Sequence, residues 1–119
     1  MTVDDVRRVC QETFPELVRE VYIQDSRRNR IRIILVDGSF IDIHQYPEQR
    51  YSVHWERQGV SYRFNNAPHW DHIETAPHHF HDADQSVHPS PIAGITPSDI
   101  TKVLQFVAGH LVDKPVEDS

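Results

Sequence analysis

Hydrophobic and polar positions alternate with two different periods along this chain. Val3, Val6, Cys10 and Phe14 recur at helical spacing and form one apolar stripe. Thr2 is placed to cap that helix, and Asp4 and Asp5 sit in its first turn, where the helix dipole favours negative charge. Pro15 ends it. From Leu17 to Asn66 the period becomes two. Leu17 to Ile23 reads as a first strand, and Asp25 to Asn29 as a polar turn. Ile31 to Val36 is apolar on both faces and predicts a central strand covered on both sides. Asp37-Gly38 predicts a two-residue hairpin turn into a partner strand, Ser39 to Tyr46, which Pro47 stops.

The segment Arg50 to Arg57 alternates cleanly, with Tyr51, Val53 and Trp55 on one face and Ser52, His54 and Glu56 on the other. Gln58-Gly59 turns the chain, and Val60, Tyr62 and Phe64 return to the apolar face. A two-residue turn there fixes the register. Trp55 then faces Tyr62, Val53 faces Phe64, His54 faces Arg63 and Ser52 faces Asn65. Ala67 to Ile95 shows no period and holds most of the histidines. Trp70, Ile73, Phe80 and Val87 give it something to pack with, which predicts an ordered wrap. Thr96 caps a last helix with Pro97 at its first position, and Ile100, Val103, Leu104, Val107 and Leu111 make its stripe. Lys114-Pro115 opens a polar, frayed tail over 114–119. The expected fold is a single α+β domain over 1–113. It is a five-stranded antiparallel meander flanked by an N-terminal and a C-terminal helix, with a long His/Pro-rich loop.

The 119 residues suit one domain with one modest core, and the formal charge of -6 opposes generic binding to nucleic acid. A local site is still open to the chain, because Arg27, Arg28, Arg30 and Arg32 cluster, although a solvated hairpin end explains them equally simply. The single cysteine, Cys10, lies on the apolar stripe and reads as a buried structural thiol. No apolar run approaches the ~20 residues of a membrane helix, and nothing at the start has the pattern of a signal peptide, so the expected location is the cytoplasm.

Six of the nine histidines fall between His69 and His88, in a stretch without lysine or arginine. Imidazole titrates near neutral pH, binds transition metals and passes protons either way. One reading is a metal site: His69, His72, His78, His79, His81 and Asp82 are of the type that suits zinc, manganese or iron. A second is metal-free RNA cleavage. That chemistry needs a base for the 2′-hydroxyl, an acid for the leaving 5′-oxygen and a cation for the phosphorane. Two of the histidines with Arg63 would satisfy it, with Asn65 and Asn66 orienting phosphate or a base edge. A third is structural, the rings capping turns around the prolines.

The run Tyr62-Arg63-Phe64-Asn65-Asn66-Ala67-Pro68-His69, then Ile73-Glu74-Thr75-Ala76-Pro77-His78-His79-Phe80-His81, then Val87-His88-Pro89-Ser90, resembles the TumE toxin family. The resemblance covers roughly residues 50 to 111. It implies the toxin of a toxin–antitoxin pair, neutralised by a small helix-turn-helix antitoxin. By position it carries over Arg63, Asn66, His69, His78, His79 and His81. The chain departs from the family pattern where Asn65 stands for an aspartate, Trp70 for a histidine and Phe80 for a lysine. The last removes a cation that a nuclease would use. The leading expectation is therefore an RNA-directed toxin needing no cofactor. Two of His69, His78, His79 and His81 would be acid and base, Arg63 would hold phosphate, and His54 would support it. The alternatives are a zinc- or manganese-dependent enzyme or regulator, and a non-catalytic module docking a basic partner through its acidic surface.

Overall fold

The computed structural model of the chain describes residues 1–112. The expected tail and the last residue of the expected domain lie outside the described residues. Helix α1 (Val3–Thr13) starts at Thr2, whose hydroxyl accepts from Asp5 N while the Asp5 carboxylate accepts from Thr2 N. These two bonds satisfy backbone donors that a helix start leaves open. Phe14 caps its end, ahead of Pro15. Helix α2 (Pro97–Val112) opens with the same reciprocal device between Thr96 and Asp99.

Between the helices lies one sheet of seven strands, not five. They are β1 (Val18–Asp25), β2 (Arg30–Leu35), β3 (Phe40–Gln45), β4 (Tyr51–Arg57), β5 (Val60–Asn65), β6 (His79–His81) and β7 (Val87–Pro89). The spatial order equals the chain order, and every pairing is antiparallel. The expected His/Pro-rich loop contains the last hairpin. Its strands are only three residues long, too short for any period to show.

One face of the sheet is the core. Val21, Ile33, Ile43, Val53, Tyr62 and Phe80 alternate inward along their strands and are buried with Val6, Cys10, Ile100, Leu104 and Val107 of the helices. Trp55 stacks on Tyr62 at 4.8 Å and Phe64 packs on Phe80 at 4.7 Å, while Phe106 of α2 meets Phe64 and Phe80 edge-on. Such aromatic pairs add to the area they bury. The buried Trp55 indole donates to Ser39 Oγ at 3.0 Å. Burial pushes the Cys10 thiol up to about 11, as a structural cysteine requires.

Two expectations about β2 and its turn are corrected. The strand is covered on one side only: Ile31, Ile33 and Leu35 are buried, Arg32 and Ile34 half-buried, and Val36 exposed. The apolar character of Ile34 and Val36 therefore does not reflect a second layer. At Asp37-Gly38 only Gly38 takes positive φ, at 88°. Gly38 N donates to Leu35 O and Leu35 N to Ser39 O, so the connection is a longer turn with a glycine bulge. By contrast, Gln58 and Gly59 both take positive φ (52° and 81°), and the expected register follows, with His54 opposite Arg63 and Ser52 opposite Asn65.

Candidate active site

The helices cover one face of the sheet; the other carries polar side chains in two transverse rows. Cross-strand partners project from the same face, so pairing alone assembles each row. The first runs Arg32, Asp42, His54, Arg63, His81 across β2 to β6. The second runs Arg30, His44, Ser52, Asn65, His79 across the same strands.

In the first row Arg32 grips Asp42 with two hydrogen bonds, 2.7 and 2.8 Å, and lies 4.0 Å over the Phe40 ring. That pair neutralises itself. Arg63 is exposed and donates to His54 Nδ1 at 3.3 Å. The guanidinium can only donate, so His54 Nδ1 is its acceptor and Nε2 carries the proton, near Ser61 Oγ (3.3 Å) and Glu56 Oε1 (3.5 Å). Burial, then the Arg63 charge, hold His54 below the ordinary histidine value, while Glu56 and Asp42 pull the other way. His81 is lowered by burial, by His79 and by Arg63, with nothing opposing. Burial and Arg30 lower His44. The face thus presents neutral imidazoles beside arginines.

His79 is fully buried. Its Nδ1 donates to Pro77 O at 3.0 Å, and its ring meets His81 edge-on at 4.8 Å. The half-buried Trp70 indole lies 6.0 Å from His79 and 5.9 Å from His81, so it covers the imidazole pair on the outer face and is no part of the core.

The sequence-nominated residues therefore separate. Arg63, His54, His79, His81 and Asn65 share the outer face. His78 does not: strand alternation turns it away, and its Nδ1 meets the Tyr51 hydroxyl at 2.9 Å. Burial raises the Tyr51 phenol, which keeps it protonated in that contact. His69 and His72 are exposed in the connecting loop, His72 against Trp70. Asn66 is committed to the fold: its Oδ1 accepts from Tyr51 N and its Nδ2 donates to Gln49 O, each at 3.0 Å. Asn65 Oδ1 accepts from Ala67 N. Asp82 Oδ1 accepts from Ala83 N in the β6–β7 turn. Among the described residues no three His, Cys, Asp or Glu side chains gather as a metal ligand set. Of the candidates His69, His72, His78, His79, His81 and Asp82, His79 and His81 are neighbours, and the six do not gather as a set.

The Phe80 departure also changes meaning. Phe80 points into the core, opposite to His79 and His81, so its aromatic ring takes no cation from the outer face. Sequence reasoning placed Ser52 opposite Asn65 but missed His44, whose membership of the second row depends on the register between β3 and β4. Those strands are joined by the Tyr46–Arg50 turn, which has no two-residue signature.

The fold and this face define a small α+β protein carrying histidines and an exposed arginine on the open side of its sheet. The family described as Toxin TumE matches residues 5–113, and the chain belongs to that family of toxins. No curated protein and no solved structure gives a match. Among the described residues no helix is long and apolar enough to cross a membrane.

Proposed function

We propose that the chain is toxic because it cuts RNA by imidazole acid–base chemistry on the open face of the sheet. The observation that carries this reading is the placement of Arg63 between His54 and His81 on adjacent strands. Two strand spacings of ~4.8 Å put the flanking backbones about 10 Å apart, with the guanidinium between them. A phosphodiester held by Arg63 then has an imidazole on either side. His81, with every influence keeping it neutral, takes the proton of the 2′-hydroxyl. The freed 2′-oxygen attacks phosphorus, and the 5′-oxygen leaves with a proton from His54. The acid role needs the imidazolium form of His54, which burial and Arg63 disfavour and Glu56 and Asp42 favour. That form arises when the bound phosphate draws the Arg63 guanidinium off His54 Nδ1 and its negative charge favours the second proton. Arg63 stabilises the extra negative charge on the phosphorane. The product is a 2′,3′-cyclic phosphate and a free 5′-hydroxyl.

A helix-turn-helix antitoxin that covers this row is the partner the reading requires. In the test, the chain is expressed without a partner and growth is followed, while purified protein is incubated with RNA and the ends are analysed. Growth arrest and cyclic phosphate ends are expected. His81→Ala should slow cleavage by roughly 10²–10⁴-fold and relieve the arrest, whereas His69→Ala should leave both unchanged. Normal growth at high soluble expression, or a His81→Ala chain as toxic as the parent, overturns the reading.

A further inference from the structure

Among the described residues, two buried side-chain polar atoms have no hydrogen-bond partner: Arg30 Nε and His79 Nε2. Native structures leave few such atoms, and each asks for an explanation. These two stand at opposite ends of the same transverse row, Arg30, His44, Ser52, Asn65, His79. Four strand spacings separate them, about 19 Å.

Their chemistry is complementary. Arg30 Nε–H can only donate, so it lacks an acceptor. The Pro77 carbonyl can only accept, so His79 carries a proton on Nδ1, and in the tautomer with that proton alone Nε2 has a lone pair that lacks a donor. A ligand that satisfies both presents an anionic oxygen at one end and a hydroxyl at the other. From Arg30 as far as Asn65, one strand short of His79, the row is flanked by two hollows, of ≈ 540 and ≈ 580 Å³, that meet at Tyr46 and Pro47. Arg27, Arg28 and Arg30 line the first, and Arg50 and Arg63 the second; Glu48 is the one carboxylate in either lining. Tyr46 is 47% exposed where they meet, its hydroxyl 3.0 Å from His44 Nδ1. A local positive track with an exposed aromatic ring has the make-up of a single-strand site, despite the charge of -6.

We propose that this second row seats the backbone of a single-stranded RNA. A phosphate oxygen accepts from Arg30 Nε, a base stacks on Tyr46, and a 2′-hydroxyl donates to His79 Nε2. That last contact distinguishes RNA from DNA, because DNA lacks the donor. A duplex does not fit, because its bases are not free to stack on a side chain. The strand reaches His79 by displacing the Trp70 indole that covers it. The proposal rests on the RNA reading above but not on cleavage.

The test is fluorescence anisotropy of a short labelled single-stranded RNA, the DNA of the same sequence and the RNA duplex. It uses the full chain carrying His81→Ala, in which cutting is slow enough for binding to reach equilibrium first. RNA should bind about tenfold tighter than DNA, the worth of one good hydrogen bond, and the duplex should bind weakest. Trp55 is fully buried, so any change in tryptophan emission on RNA binding reports Trp70. Arg30→Gln should weaken RNA and DNA alike and lower the salt slope by about one. His79→Phe should bring RNA down to the DNA value and leave DNA unchanged. If His79→Phe does not fold, the RNA-to-DNA ratio and the Trp70 signal decide. Equal binding of RNA and DNA, no binding of either, or an Arg30→Gln chain with an unchanged salt slope overturns the proposal. RNA that binds as expected yet stays uncut by the unsubstituted chain overturns only the nuclease reading.

Discussion

Asn66 has the chemistry of a ligand-binding residue, and its neighbours in the sequence suggest that role. Its amide instead ties β4 to the turn before it, holding Tyr51 N and Gln49 O. That turn needs holding, because Glu48 and Gln49 both lie in the left-handed region, with φ of 62° and 63°. Asn66→Ala leaves the Tyr51 N–H and the Gln49 carbonyl without partners and should cost about 1–3 kcal/mol, read from urea unfolding. Asn66→Asp keeps the acceptor and should recover part of that loss. Equal stability of the alanine variant and the parent would refute the tie. His78 and His79 make the same point about legibility. They are chemically identical and adjacent, and nothing in the sequence tells which one joins Arg63. Strand alternation decides it, sending His78 to Tyr51 and His79 to the outer face.

Element by element, legibility tracks the local signal. Both helices are readable from their stripes and caps, and β4–β5 from a turn whose two residues both accept positive φ. The hairpin β6–β7 is not, because tertiary contact rather than periodicity makes it a strand pair. Its anchor is Phe80, packed against Phe64 and Phe106. Phe80→Ala should cost about 3–5 kcal/mol. It should also release the short β6 from β5 and carry His79 and His81 away from Arg63. Hydrogen exchange over residues 79–89 should then quicken more than exchange in β2 and β3. A uniform increase across the sheet would mean that β6 is not separately anchored.

For the molecule as a whole, three imidazoles (His44, His54 and His81) are held below their ordinary value of 6.5 by burial and by arginines. Below that value the unfolded chain takes up protons that the native face refuses. The stability these groups contribute is therefore fully present above 6.5 and is lost as pH falls through the lower native values. The urea midpoint should drop between about pH 7.5 and pH 5.5. Arg63→Gln should flatten that drop, since Arg63 lowers all three histidines. A midpoint that is level or rises toward acid would contradict the placement of these rings. The meander and its two flanking helices are legible because each hairpin pairs neighbours in the chain. The two polar rows are legible only in part, since a row crossing five strands needs every register at once and only that of β4–β5 can be read from a turn.

The strict chain order of the strands has a consequence for how the protein is made. Synthesis delivers residues from the N-terminus at about 5–20 per second. Strands β1 to β5 can zip together, each against its predecessor, before His79 and His81 have left the ribosome. The helix that closes the core, α2, comes later still. Both histidine rows therefore stay incomplete while most of the sheet is already in place, and whatever harm resides in them waits for the last hairpin to emerge.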